Sequence, residues 1–152
     1  MEFKFKKPTE IDAKDIATWK YEGEYSFYDN DKTEAKQEWA LNIHKEDSAF
    51  VIHNEKDELV GNCSFNAEDD EFILGVQMRP NLTGKGTGTQ FVKAILDFGR
   101  NTYKFNEIQL FVAKFNERAI KIYEKLGFKK TEEFIWNVNG EEKEFIAMVK
   151  KY

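Results

Sequence analysis

Three glycines crowd into Gly84-Lys-Gly-Thr-Gly88, directly after an apolar run of strand length and directly before a stretch with helical periodicity. Such a loop presents unpaired backbone N–H groups at the positive end of a helix dipole. The missing Cβ atoms let an anion such as a diphosphate come close to those donors, and Lys85 adds a charge at the rim. The same residues also suit a tight turn whose glycines serve packing. Two nucleotide loops fit worse. A Walker loop needs Lys-Ser/Thr after its last glycine, where this chain has Thr89-Gln90, and a dinucleotide fingerprint reads G-x-G-x-x-G after an early strand, whereas this G-x-G-x-G lies mid-chain. A second segment with chemical content is Trp19 to Tyr28, in which Trp19, Tyr21, Tyr25, Phe27 and Tyr28 are interleaved with Glu22 and Glu24. Ring faces and carboxylates together can hold a cationic amine; alternatively the rings form a lid over the core.

Composition removes several other chemistries. One cysteine, Cys63, excludes an intramolecular disulfide framework and multi-cysteine metal sites, and two histidines, His44 and His53, leave little for a zinc centre or a Ser-His-Asp triad, so no metal site is expected. Neither histidine has a metal-like partner at i+4, and Cys63, inside an apolar run, reads as a small core residue. A net charge of −5 argues against an extended nucleic-acid surface and suits a cationic partner. The chain has 152 residues, 41% of them hydrophobic and 15% aromatic, which supports one folded domain over 1–152 rather than a disordered chain. No stretch approaches the roughly 20 apolar residues that span a bilayer, and Met1 to Lys7 holds no signal-like apolar block. A free thiol without an export signal makes the cytoplasm the expected compartment.

These residues need elements to position them. Phe3 and Phe5 alternate with lysines before Pro8, a short strand, and Asp12 is a candidate cap for a helix carrying Ile16 and Trp19. Thr33 to Ile43 reads as a second helix, apolar at Ala35, Trp39, Ala40 and Ile43. Ala49–Ile52 and Leu59–Phe65 form a strand pair around Asn54 to Glu58, and the near-continuous apolar run Phe72–Met78 predicts a central strand covered on both faces. Phe91, Ile95 and Phe98, widened by Val92 and Leu96, make a helical stripe; Ile108–Val112 is a strand; Asn116 is an N-cap and Gly127 a C′ residue around a short helix. Asn139-Gly140 between Trp136–Val138 and Phe145–Met148 predicts a hairpin, with Glu141 to Glu144 on its exposed side. The order gives a mixed sheet with helices on its faces, class α+β or α/β, in three layers.

The stretch Met78-Arg-Pro-Asn-Leu-Thr-Gly-Lys-Gly-Thr-Gly88 resembles the acetyl-CoA diphosphate loop of the GNAT N-acetyltransferase superfamily, whose signature is Arg/Gln-x-x-Gly-x-Gly/Ala. Gly86 and Gly88 match its small positions, and Thr83 stands where Arg or Gln is usual. Further on, Asn116-Glu-Arg-Ala-Ile-Lys-Ile-Tyr-Glu-Lys-Leu-Gly-Phe128 is similar to the family's second motif, N-x-x-A-x-x-x-Y-x-x-x-G-F, at every named position. The order of elements resembles the family's fold over nearly the whole chain. That fold implies a central, twisted, mixed but mostly antiparallel sheet of about seven strands flanked by four helices.

The resemblance implies direct acetyl transfer from acetyl-CoA to an amine, with no covalent enzyme intermediate. Backbone groups of Gln77 and Met78 would orient the acetyl group where a splay in the sheet opens a slot. Thr83, Gly84, Lys85, Gly86, Thr87, Gly88 and Thr89 would bind the diphosphate, and Asn116 the pantetheine arm. Tyr123 matches the tyrosine that protonates the leaving sulfur; by spacing alone it reads first as a core residue, on one face with Ala119 and Leu126, and the motif match reverses that. A base for the amine is sought among carboxylates: Asp70 and Glu71 at the start of the central strand, or Glu22, with Tyr21, Glu24 and Tyr25 lining the acceptor side. The acceptor is expected to be a small cationic amine, and the alternatives are a peptide or protein amine, or an acyl-CoA-binding regulatory module without turnover. Open sheet edges and the C-terminal hairpin suggest a homodimer.

Overall fold

The structure, a computed structural model, describes residues 2–69, 71–138 and 140–152, with Val138 described by its backbone alone. Among the described residues seven strands form one mixed sheet in the order β1-β2-β3-β4-β5-β7-β6, and there are four α-helices. The strands are β1 Lys4–Lys6, β2 Ala49–His53, β3 Leu59–Glu68, β4 Glu71–Met78, β5 Glu107–Ala113, β6 Lys129–Val138 and β7 Glu141–Lys151. The helices are α1 Glu10–Ala17, α2 Glu34–Leu41, α3 Gly88–Tyr103 and α4 Glu117–Lys125. The α+β class with seven strands and four helices is as the sequence implied. Backbone contacts divide the chain into two compact units, residues 1–64 with 76–83 and residues 65–75 with 84–152; β3 and β4 each run through both. Among the described residues no helix is long and apolar enough to cross a membrane.

In the first unit β1 pairs antiparallel with β2, and β2 with β3. Helix α1 begins earlier than Asp12 would have it. Thr9 is its N-cap: the Asp12 N–H donates to Thr9 Oγ1 at 3.2 Å and the Thr9 N–H donates to Asp12 Oδ2 at 2.9 Å. This reciprocal pair satisfies two otherwise orphaned donors, so Asp12 serves as the third residue of a capping box and not as the cap. Thr33 caps α2, which ends at Leu41, and Ile43 follows in a short 3₁₀ turn. Ala13, Ile16, Ala17, Trp19, Ala40, Ile43, Ala49, Val51 and Leu59 form one buried cluster. Trp39, read as part of the apolar face of α2, is 40% exposed.

In the second unit α3 buries Phe91, Val92, Ile95 and Leu96 of the predicted stripe together with Gly99, whereas Phe98 is half-buried. Phe65, 1% exposed, fills its centre among the rings of Phe98, Tyr103 and Phe105. β5 pairs antiparallel with β7, and β7 with β6; Val138 faces Glu141 across the hairpin, whose Asn139 lies outside the described residues. β4 and β5 are parallel, and among the described residues their register is Phe72 with Ile108 and Ile73 with Gln109. The expectation that β4 is covered on both faces needs correction. Only Leu74 is buried, and Phe72, Ile73 and Val76 to Met78 are half-buried. An apolar run predicts burial only where other elements pack on both faces of the strand, which its own pattern does not specify.

Candidate functional site

The second unit holds the glycine loop. Gly84 and Gly86 sit at φ +72° and +81°, the left-handed region that a Cβ disfavours. Thr87 ends the loop as the N-cap of α3 without a side-chain hydrogen bond to the helix. No amide from Gly84 to Thr89 donates to an acceptor of the described residues; the first such bond is Phe91 N–H to the Thr87 carbonyl at 3.0 Å. Those donors are therefore available to an anion at the positive end of a sixteen-residue helix. Helix α4 lies against the loop. A Cβ on Gly88 would stand 2.5 Å from Ile122 Cδ1, which would have to shift, and one on Gly84 2.7 Å from Arg118 Nη1, the movable end of a long side chain, so Gly84 is favoured by its positive φ and not by space. A Cβ on Gly86 would meet nothing within 4 Å, and that side of the turn is open.

Helix α4 carries the second motif. Asn116 is its N-cap, its Oδ1 accepting from the Ala119 N–H at 3.2 Å. None of the side chains of α4 is fully buried. Tyr123 is half-buried, with its ring edge-on to Phe128 at 5.7 Å. It is thus packed on the core at one edge and not sealed inside it. Glu71 is exposed at the first position of β4, where its Oε2 accepts from Gln109 Nε2 at 2.8 Å. Glu71 opens β4 and Met78 ends it. Asp70 lies outside the described residues.

The first unit holds the aromatic segment and the end of β4. Residues Gly23–Tyr28 form a 3₁₀ turn with Glu22 at its start; Glu22 and Glu24 are exposed, Tyr21 and Tyr25 half-buried. Trp19 and Phe27 are 3% and 7% exposed. Trp19 already has the Arg79 guanidinium over its ring at 5.1 Å, and Lys36 lies 5.5 Å from the Phe27 ring. These two rings therefore belong to the packed interior and not to an open cage, because burying them gains more than presenting them to solvent. Tyr21 is fixed twice, its hydroxyl donating to the Met78 carbonyl and its N–H to Asp29 Oδ1, both at 2.7 Å. Burial pushes its phenol far above the ordinary range, so it stays protonated. Thr83 gives both its hydroxyl and its N–H to the Pro80 carbonyl, at 2.8 and 3.3 Å.

A buried amide cluster was not anticipated. Gln77 Oε1 accepts from Asn30 Nδ2 and Asn62 Nδ2, each at 3.1 Å, and Gln77 Nε2 donates to Asn30 Oδ1 at 3.2 Å. Asn30 and Asn62 are 6% and 3% exposed, and Asn30 also donates to the Ile16 carbonyl. Arg79, next after β4, pairs with Asp15 and donates through Nε to the Leu59 carbonyl at 2.7 Å. The available signal was Asn62, a polar residue inside the apolar run Leu59 to Phe65.

The family model described as an acetyltransferase (GNAT) domain matches residues 3–129. The chain belongs to the GNAT family. Among relatives of this GNAT chain, an uncharacterized N-acetyltransferase of Bacillus licheniformis is 32% identical over 83 residues, 53% of this chain and 47% of its own. The spermidine N(1)-acetyltransferase of Escherichia coli is 32% identical over 103 residues, 65% of this chain and 55% of its own. The chain thus spans about half the length of the curated relatives it matches. In fold it is similar to an acetyltransferase of the GNAT family from Bacillus anthracis, with TM-score 0.81 at 15% identity over 99% of this chain and 95% of that one. It is similar also to a chimeric spermidine N-acetyltransferase from Vibrio cholerae, with TM-score 0.77 at 19% identity over 99% and 96%.

Proposed function

We propose that this chain is an acetyl-CoA-dependent N-acetyltransferase that moves an acetyl group directly to an amine, with a small cationic amine as the acceptor. The observation that carries the reading is the set of uncommitted amides from Gly84 to Thr89 at the start of α3, in a chain that the GNAT domain model matches. The amides of Gly84, Lys85, Gly86, Thr87, Gly88 and Thr89 bind the diphosphate, whereas Thr83, whose donors are held by Pro80, contributes by shaping the turn. Gln77 and Met78 supply the strand end that aims the acetyl group, and Asn116 serves both as a cap and as a contact to the pantetheine arm. Acetyl-CoA supplies the activated thioester. Tyr123 holds a proton at Oη for the departing sulfur; a phenol near pKa 10 and a thiol near 8.5 are close enough for that transfer.

A primary amine with pKa about 10 is neutral in about one part per thousand at pH 7, so the acceptor side must both attract the cation and take its proton. The exposed Glu22 and Glu24, beside Tyr25, supply negative charge for this, and Glu71, whose Oε2 accepts from Gln109, is the other candidate base. The net charge of −5 and the Escherichia coli relative named for spermidine support a polyamine-like acceptor. The protein acts in the cytoplasm, and β6, the outer strand with Ile135 62% and Trp136 46% exposed, is the edge through which two copies would pair.

The test is calorimetry with acetyl-CoA, followed by CoA release across polyamines, amino sugars and lysine peptides. Binding with turnover on a small polycation is the expected result. Absence of acetyl-CoA binding overturns the reading; binding without turnover on any amine replaces it with a regulatory module.

A further inference from the structure

We propose that Asn30 is a positioning residue for acetyl transfer: through a reciprocal amide pair with Gln77 it holds the turn bearing Glu22 and Glu24 in one register against the end of β4. The inference rests on the acetyltransferase reading above, in which Gln77 and Met78 aim the acetyl group and the two carboxylates supply charge to the amine. Asn30 follows that turn and is 6% exposed. It donates through Nδ2 to Gln77 Oε1 at 3.1 Å, while its Oδ1 accepts from Gln77 Nε2 at 3.2 Å. Its Nδ2 donates also to the Ile16 carbonyl in the last turn of α1, at 2.8 Å. The other end of the turn is fastened to the next residue of β4. There the Tyr21 hydroxyl donates to the Met78 carbonyl, and the Tyr21 N–H, donating to Asp29 Oδ1, closes the stretch on itself. Adjacent residues of one strand thus hold both ends of one turn.

Stability alone does not account for amides at this place. An apolar pair of similar size would fill the same space at little or no loss, whereas a buried amide left unpaired is penalised. That penalty falls on every register but one. Asn30 makes three of the four hydrogen bonds open to its amide, and both lone pairs of Gln77 Oε1 are taken, by Asn30 and by Asn62. Sliding the turn along β4 by one residue, about 3.3 Å, would break both halves of the Asn30–Gln77 pair at once. Arg79 and Asp15 join the same strand end to α1, but that ion pair is partly exposed and contributes little to holding a register. Asn62 comes from β3, the strand beside β4, so its loss leaves the turn fastened. Asn30 is therefore the side chain through which the acceptor-side carboxylates keep their place relative to the strand end that aims the acetyl group.

The experiment compares wild type with Asn30→Ala and Asn62→Ala. It measures kcat with spermidine or a lysine peptide as the acceptor, acetyl-CoA affinity by calorimetry, and the thermal midpoint. Both variants are expected to lower the midpoint, since each leaves Gln77 Oε1 with one donor fewer. Only Asn30→Ala is expected to lower kcat, by about tenfold or more, because a misplacement of about 1 Å can cost about 10²-fold. Acetyl-CoA affinity should stay within about twofold of wild type in both. Asn30→Ser, a smaller change should Asn30→Ala not fold, carries the same expectation, because one hydroxyl cannot replace both halves of the pair. Unchanged kcat in the Asn30 variants, an equal loss of kcat in Asn62→Ala, or a matching fall in acetyl-CoA affinity overturns the proposal and leaves the acetyltransferase reading intact. A wild-type protein that turns over no amine overturns both.

Discussion

The Tyr21 hydroxyl donates to the Met78 carbonyl at 2.7 Å, so the segment after α1 is tied to the last residue of β4. The ring packs on the buried cluster of the first unit, and the hydroxyl proton is committed to the Met78 carbonyl. Tyr21→Phe keeps the ring and leaves the carbonyl without this donor. The expected cost is about 1–2 kcal/mol, read as a lower urea midpoint with an unchanged slope. An unchanged midpoint would mean that the bond contributes nothing net.

Tyr123 makes a different prediction, because no side chain of α4 is fully buried. Tyr123→Phe preserves the edge contact to Phe128 and removes the hydroxyl with its proton. Turnover is expected to fall about 10²-fold or more, the scale of general-acid catalysis, with acetyl-CoA affinity and thermal midpoint unchanged. Undiminished turnover would remove the acid role.

Sequence and structure agree best where the signal is local. The loop glycines, the α3 stripe and the Asn116 cap are each decided within a few residues, and each lies where its spacing put it. The aromatic segment was harder, because whether Trp19 faces an amine or the core depends on Arg79, which reaches it from the far end of β4. Likewise the Asn30–Gln77–Asn62 cluster joins residues 47 and 15 positions apart, a pairing that no local pattern encodes. The half-exposure of β4 was invisible for a related reason: its own residues are apolar, and accessibility is set by what packs on the faces of the strand.

Gly99 decides a contest of two magnitudes. Alanine in mid-helix is favoured over glycine by about 1 kcal/mol. Here the new Cβ would overlap the Phe65 ring, with Cζ at 2.6 Å, and that ring is 1% exposed with no room to yield. Overpacking of this kind costs about 1–3 kcal/mol. Gly99→Ala is therefore expected to lower the thermal midpoint by several degrees, and a rise would show that Phe65 can move.

Glu22 and Glu24 are exposed and outside the buried cluster, so neutralising them tests the acceptor side without touching the core. The double variant Glu22→Gln with Glu24→Gln is expected to raise the KM for a polycationic acceptor about fivefold to tenfold, at up to about 1 kcal/mol per exposed charge. Acetyl-CoA affinity should not move. If both constants shift together, the segment is structural.

The alkaline limb of stability follows from two buried groups. Burial raises the Cys63 thiol from its ordinary 9.0 and, as the largest cause, the Tyr21 phenol from its ordinary 10.0, so both stay protonated in the folded chain. Unfolded, they ionise near those ordinary values. Below pH 9 both states hold the same protons and the contribution is fully present; above it the unfolded chain releases protons that the folded chain keeps, and stability falls as pH rises. Each group adds about 1.4 kcal/mol of loss per pH unit beyond its unfolded pKa. Urea midpoints measured from pH 8 to 11 should therefore decline more steeply in wild type than in Cys63→Ala above pH 9, and than in Tyr21→Phe above pH 10. Parallel declines in all three proteins would mean that these groups ionise as readily in the folded chain as in the unfolded one.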